Sequence, residues 1–155
     1  MAKRYTVRKL GPLDLDRILE IEHASFGKDA YDRNLFAEFF HKCGDLFLVA
    51  ETGSGVCGYM VTCIRGRGAD ARAELVSVAV DPRHRAKGAA SALMDSTLRR
   101  LRLRRVPRLS LMVRVTNRKA LAFYEKYGFH QVRIARAYYE DNTDGFLMAK
   151  NLNTG

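Results

Sequence analysis

The sequence predicts an α/β protein, a mixed sandwich in which one central sheet of about seven strands is flanked by about four helices. Two observations carry that reading. Short apolar segments of strand length alternate with longer segments whose apolar residues recur at helical spacing. Gly, Asn and Asp-Pro punctuation separates them, with no linker, repeat or low-complexity stretch. The length of 155 residues, 47% hydrophobic and 28% charged, fits one domain spanning 1–155.

The elements follow in order. "RYTVRKL" reads as a first strand. "DLDRILEIEHASF" places Leu15, Ile18, Leu19 and Ile21 on one helical face, and "NLFAEFFHKC" is a second, shorter helix. The polar loop "GKDAYDR" lies between them. "DLFLVAE" and "GVCGYMVTCI" are strands joined by the turn "TGSG". "RAELVSVAV" is nearly continuous in apolar and small residues from Leu75, as a central strand covered on both faces should be. A helix follows whose stripe is Leu93, Met94, Leu98 and Leu101, with Arg99, Arg100, Arg102 and Arg104 on its polar side. "RLSLMVRV" is a strand. "NRKALAFYEKYGF" is a helix with Asn117 as N-cap and Gly128 past its end. "HQVRIARAYY" and "DGFLMAKNL" complete the order β-α-α-β-β-β-α-β-α-β-β.

Composition narrows the function. No apolar run approaches the roughly 20 residues needed to span a bilayer, and "MAKRYTVRKL" has no apolar signal core. The chain is therefore expected in the cytoplasm, away from membranes. Cys43, Cys57 and Cys63 are expected to be free, buried thiols of a reducing compartment. The four histidines lack metal-ligand spacing, so no metal is expected. The net charge of +10, with 27 basic against 17 acidic residues, favours an anionic ligand or work near nucleic acid.

The most informative stretch is "VDPRHRAKGAASALMDSTLRRL". A helix N-terminus presents unpaired N–H groups and a partial positive charge. Gly88, Ala89 and Ala90 leave those groups open to approach, and Arg85 and Lys87 add full charges. The combination suits a phosphate or pyrophosphate, yet it matches neither the P-loop nor the dinucleotide fingerprint. A tight turn that merely packs closely is the competing reading.

"V-A-V-D-P-R-H-R-A-K-G-A-A" resembles the phosphate-binding motif of the GNAT superfamily of acetyl-CoA-dependent N-acetyltransferases. Ala86 stands where that family usually has Gly. "VRVTNRKALAFYEKYGF" resembles the family's second signature. The resemblance implies a GNAT fold in which the strand Glu74–Val80 splays from the strand Leu109–Arg114. It implies acetyl-CoA in the opening, its pantetheine arm aligned by the backbone of Val78, Ala79 and Val80. Its pyrophosphate would rest on the amides from Ala86 through Lys87, Gly88, Ala89 and Ala90 to Ser91, with Arg85 nearby. Asn117 would approach the thioester, and Tyr124 would supply the proton for the leaving thiolate.

"RAYYEDNTDGFLMAKNL" resembles the tail of the N-terminal protein acetyltransferases, including the ribosomal-protein alanine acetyltransferases. This implies a peptide N-terminus as acceptor, covered by Tyr138 and Tyr139, with the loop carrying Asp29 and Tyr31 as the opposite wall. The chain departs from that branch at Met112, where relatives carry an ionisable residue and a thioether cannot take a proton. Glu74 then becomes the first candidate for the base and Asp29 the second. Strand alternation would put Glu74, Val76, Val78 and Val80 on one face, and an ion pair of Glu74 with Arg72 or Arg114 is the structural alternative. Three readings stay open: acetylation of a protein α-amine, acetylation of a small amine such as an antibiotic, polyamine or amino acid, and a basic module that docks on nucleic acid or ribosomes without catalysis.

Overall fold

The apolar segments pair into one sheet because each has more apolar surface than a single helix or strand can cover. The computed structural model describes residues 4–85 and 87–153. Among these, β1 (Thr6–Lys9) is followed by α1 (Leu15–Phe26), α2 (Arg33–Lys42), β2 (Phe47–Thr52), β3 (Gly55–Arg65) and β4 (Arg72–Val80). Then come α3 (Ala89–Leu103), β5 (Arg108–Arg114), α4 (Arg118–Lys126), β6 (His130–Ala135) and β7 (Gly145–Asn151). The strand order is β1-β2-β3-β4-β5-β7-β6. Neighbours are antiparallel except β4 and β5, which run parallel. The order and number of elements agree with the sequence reading.

Successive side chains of a strand point to opposite faces, so the sheet sorts its residues into two apolar layers. Ile18 and Ile21 of α1 and Phe36 of α2 pack against Phe47, Val49, Tyr59 and Val61. On the other face, Leu93, Met94, Leu98 and Leu101 of α3, with Tyr124 of α4, pack against Leu48, Met60, Leu75, Leu109 and Leu111. Each fully buried Leu or Ile contributes about 1.5–3 kcal/mol.

Three expectations need correction. Glu74 does not share a face with Val78 and Val80. The β3–β4 register shifts between Val61 and Thr62, so that Val61 faces Ser77 while Thr62 faces Leu75. Val76 is the extra residue of this bulge, and an inserted residue reverses strand parity. Glu74, opposite Cys63, therefore lies with Val76, Ser77 and Ala79 on the α1/α2 face, and Val78 and Val80 lie on the α3/α4 face. Second, Cys43 and Cys63 are not free thiols. Helix–sheet packing brings the residue that caps α2 against β3 with a Cα–Cα distance of 4.7 Å, and the two form a disulfide, whereas Cys57 is free and buried. Third, the strand expected over 130–139 stops at Ala135. Ala137 turns to φ 50°, and its N–H is taken by Asp144 Oδ1 at 2.7 Å. Tyr138 and Tyr139 therefore stand on a loop.

One helix end bears on the charge distribution. After Leu103 the chain closes a paired turn, with Val106 N–H on Leu101 O and Arg105 N–H on Arg102 O. Arg105 sits there at φ 58°, where glycine is usual and a side chain costs about 1–2 kcal/mol.

Candidate active site

β4 and β5 are in register only at Ala73↔Leu109 and Glu74↔Ser110. Beyond these, β4 stays paired with β3 as far as Val80, and β5 stays paired with β7 as far as Arg114. The two central strands thus part on their facing edges. On that edge the backbone groups of Val78 can meet an extended ligand, while Val80 O is taken by Arg85 Nε at 3.1 Å.

The mouth of this opening is the turn before α3. Asp81 shapes it by accepting from the Arg83 amide at 2.9 Å and from Arg17 Nη2 at 2.5 Å. The Asp81 amide is itself held by Cys57 O at 2.7 Å. Arg17 also donates to Val56 O at 2.9 Å, which ties α1 to the turn. The guanidinium of Arg17 holds the Asp81 carboxyl below its ordinary range, with help from the Arg83 amide. Gly88 follows at φ 98°, and a Cβ built on it would meet nothing within 4 Å. The space beyond it is a cavity of about 420 Å³ lined by Val80, Arg85, Gly88, Ala89, Ala90, Ser91 and Phe123. These residues fit a pyrophosphate arm, with open space where backbone N–H groups emerge. Arg85 is committed elsewhere, donating to Val80 O at 3.1 Å and Ser25 Oγ at 3.0 Å. Lys87 is exposed, and Ala86 lies outside the described residues.

Asn117 caps α4 as the sequence suggested, its side chain accepting from Ala120 N at 3.2 Å. Tyr124, two helical turns further, is 6% exposed. Burial pushes its phenol up to about 12, with a smaller contribution from Tyr139. It stays protonated across the neutral range.

On the opposite face, two loops meet. Tyr31 packs edge-on against Phe36 and Phe39 with ring centres 5.9 Å apart. Its phenol is raised by burial, then by the charges of Glu22, Tyr138 and Glu74. Tyr138 and Tyr139 stack edge to face at 5.0 Å. The Tyr139 ring carries the Arg114 guanidinium 4.2 Å above its centre. Met112 supports this loop from below. A Cβ on Gly145 would come within 3.0 Å of the Met112 methyl and 3.3 Å of the Tyr139 ring, so glycine is what lets the three pack. The Met112 thioether packs here against the turn at Gly145.

Glu74 is paired with neither Arg72 nor Arg114. Arg65 on β3 reaches it at 3.3 Å, and 40% of the Glu74 side chain is exposed. Asp29 is more exposed and lies 3.8 Å from Arg114. The structure thus brings Asp29, Tyr31, Glu74, Tyr138 and Tyr139 to one side of the parted strands and Gly88, Asn117 and Tyr124 to the other.

Two residues of this region have contacts that the sequence reading did not assign to them. Arg114 contacts both walls, donating to Asp141 at 2.9 Å, approaching Asp29 and covering Tyr139. Glu22 is 1% exposed. It accepts from the Tyr31 amide at 2.9 Å and from the Tyr59 hydroxyl, which also meets Ser77 Oγ at 3.0 Å. Glu22 falls on the same stripe as Ile18 and Ile21, and an acid on an apolar stripe was the available signal.

Residues 15–129 match the Acetyltransferase (GNAT) family. The chain belongs to this family and is an N-acetyltransferase. It is 29% identical over 157 residues to the N-alpha-acetyltransferase of Saccharolobus solfataricus, covering 96% of this chain and 93% of that one. The crystal structure of Ard1 from Thermoplasma volcanium superimposes with a TM-score of 0.91 at 28% identity, over 98% of this chain and 100% of that one. The ribosomal-protein-S18-alanine N-acetyltransferase of Escherichia coli gives a TM-score of 0.82 at 27% identity, over 97% and 96% of the two chains. Among the described residues no helix is long and apolar enough to cross a membrane.

Proposed function

We propose that the protein is a cytoplasmic, single-domain enzyme that transfers acetyl from acetyl-CoA to the α-amine of a protein N-terminus. The observation that carries the acceptor class is the pair of aromatic loops, around Tyr31 and Tyr138–Tyr139, that Arg114 joins beside the parted strands. Relatives named for N-α-acetylation, and one for a ribosomal protein, support the same class. A ribosomal protein is therefore among the acceptors to test.

The amine nitrogen attacks the thioester carbonyl carbon, the C–S bond breaks, and the leaving sulfur takes the Tyr124 proton. Glu74, on the acceptor face, accepts the proton lost by the amine, directly or through one water. The bulge at Val76 is what turns this carboxylate towards the acceptor side, and Arg65 steadies it. Met112 contributes no base, so an amine that is already partly neutral is favoured. At pH 7.5 roughly a quarter of α-amino groups are neutral, against about one lysine in a thousand.

Acetyl transfer to unblocked peptides, to Nα-blocked lysine peptides and to small amines tests the acceptor. Turnover confined to the unblocked peptides is expected, and turnover confined to lysine or small amines would overturn it. For the base, Glu74→Gln should lower kcat about 100-fold and remove the acidic limb of the pH profile while acetyl-CoA affinity holds. Normal kcat with an unaltered profile would shift the role to Asp29 or a water chain.

A further inference from the structure

The disulfide between Cys43 and Cys63 joins two parts of the acceptor side. Cys43 caps α2, and its amide donates to Phe39 O at 2.8 Å. The Phe39 ring in turn holds Tyr31, with centres 5.9 Å apart. Cys63 lies on β3 opposite Glu74. One S–S bond therefore runs from the helix that supports the Tyr31 wall to the strand beside the proposed base. Phe36, fully buried between Phe47 and Tyr59, anchors the earlier part of α2 with or without that bond. At the end of the helix His41 and Lys42 are exposed, and Lys42 pairs with Glu38 on the helix itself. The covalent tie is thus what fixes the last turn of α2 to the sheet.

The two sulfurs differ in access. Cys43 is 6% exposed, whereas Cys63 is half-buried, so an incoming thiolate meets Cys63 first. Cys57 takes no part, because it lies in the apolar layer on the other face with its thiol on Ala50 O at 3.5 Å. In a reducing compartment, a disulfide that thiols can reach is usually transient or redox-sensing.

We propose that the Cys43–Cys63 bond is a redox-sensitive tie that sets the acceptor wall. Oxidised, it holds α2 and Tyr31 in place. Reduced, it releases the end of α2 and weakens acceptor binding, while the donor turn at Gly88 is unaffected. This is regulation of the acceptor site and rests on that reading of Tyr31 and Glu74. The reductant is a dithiol. One of its thiolates attacks the Cys63 sulfur, the S–S bond breaks, and Cys43 leaves as a thiolate that takes a proton. The second thiolate attacks the reductant's own sulfur in the mixed disulfide and releases Cys63, which is protonated in turn. The protein gains two electrons and two protons, and the dithiol becomes a disulfide.

The test compares the full chain oxidised and reduced with dithiothreitol. Mass spectrometry after alkylation should find Cys57 alone modified before reduction, and Cys43 and Cys63 modified as well after it. Reduction should raise the acceptor KM roughly 3- to 10-fold and leave the acetyl-CoA dissociation constant within about twofold. The melting midpoint should fall by about 5–12 °C. Amide hydrogen exchange should quicken over 30–42 and stay unchanged over 88–91. Exchange needs no acceptor, so failure of the tie and failure of the acceptor reading are distinguishable. Oxidised glutathione should restore the low KM. Cys43→Ser with Cys63→Ser should show the reduced KM under both conditions, and Cys57→Ser should respond as wild type does. Reduction of the wild type makes the same comparison without any substitution. A lower melting midpoint with unchanged acceptor KM would make the bond a staple of the fold and overturn the proposal. So would a bond that persists in excess reduced glutathione, alkylation of Cys43 and Cys63 after treatment with oxidised glutathione, or equal weakening of both substrates.

Discussion

The two sides of the parted strands are built differently. The side that faces α3 and α4 is made of backbone: a bare strand edge, a glycine turn and a helix N-terminus. Its parts lie close together in sequence, from Val78 to Ser91, and one helix away stand Asn117 and Tyr124. The side that faces α1 and α2 is made of side chains from distant segments. Glu22, Tyr31, Glu74, Arg114 and Tyr139 meet there through tertiary packing. A donor common to a whole family can be held by backbone, which tolerates sequence change. An acceptor that must be told from others needs side chains, and those vary.

Tyr124 links the two sides electrostatically, since its phenol is raised chiefly by its own burial and then by Tyr139. Tyr124→Phe should therefore give the largest effect. With Tyr124 proposed as the proton donor to the leaving thiolate, its loss is expected to reduce kcat by on the order of 100- to 1,000-fold with little change in either substrate's affinity. Presteady-state acetylation of a peptide, with acetyl-CoA binding measured by calorimetry, checks both halves. A fall in kcat below about threefold would make Tyr124 a packing residue of α4.

Gly88→Val isolates the backbone side. No protein atom would clash with the new Cβ, but φ 98° is a conformation a β-branched residue resists. The strain of about 1–3 kcal/mol falls on the turn that presents the amides. Acetyl-CoA affinity should fall roughly 10- to 100-fold while the peptide KM stays near wild type. An unchanged acetyl-CoA dissociation constant would place the pyrophosphate elsewhere.

The same division explains what could be read in the sequence. The turn at Gly88, the Asn117 cap and the order of strands depend on local spacing and are legible. Glu74 was picked out for its position on β4, but its orientation depends on the bulge at Val76. No periodicity announces a single inserted residue. Cys43 and Cys63 are 20 residues apart, and only the packing of α2 on β3 joins them. Tyr138 and Tyr139 read as strand residues because aromatic side chains favour strands. The bond from Ala137 N–H to Asp144 turns them into a loop instead.

Glu22→Gln isolates the side-chain side. The amide still accepts one bond, but Tyr31 N–H and the Tyr59 hydroxyl both call on a carboxylate with two oxygens. Loosening the Tyr31 loop should raise the peptide KM roughly three- to tenfold and leave the acetyl-CoA dissociation constant unchanged. If Gly88→Val and Glu22→Gln both shift the same substrate, the two sides do not act separately. Restored peptide KM in Glu22→Asp with unaltered thermal stability would show that the carboxylate positions the loop rather than simply filling the core.

The smallest effect concerns the tie between the sides. Arg17 of α1, on the acceptor face, reaches across to Asp81 at the start of the donor turn. The Asp81 side chain is 10% exposed. Its carboxyl titrates below its unfolded value, chiefly because Arg17 donates to it and then because the Arg83 amide does. A depressed folded pKa stabilises the fold above the unfolded value of about 3.9, and that contribution disappears as pH falls through the folded value. Asp81→Asn should therefore lower stability by about 1–2 kcal/mol at pH 7, or ~3–6 °C in melting midpoint. The gap between wild type and variant should narrow steadily from pH 5 to pH 3, because the wild type loses the same ion pair by protonation. Other carboxylates, such as Asp14 beside Arg8, titrate in both proteins and cancel in the difference. Thermal melts at half-unit pH intervals supply the curve. A gap that stays constant down to pH 3 would mean that the Asp81 charge contributes nothing beyond its hydrogen-bonding shape. The two sides would then be joined by packing of α1 alone, and acetyl-CoA affinity should be unaffected by Arg17→Ala.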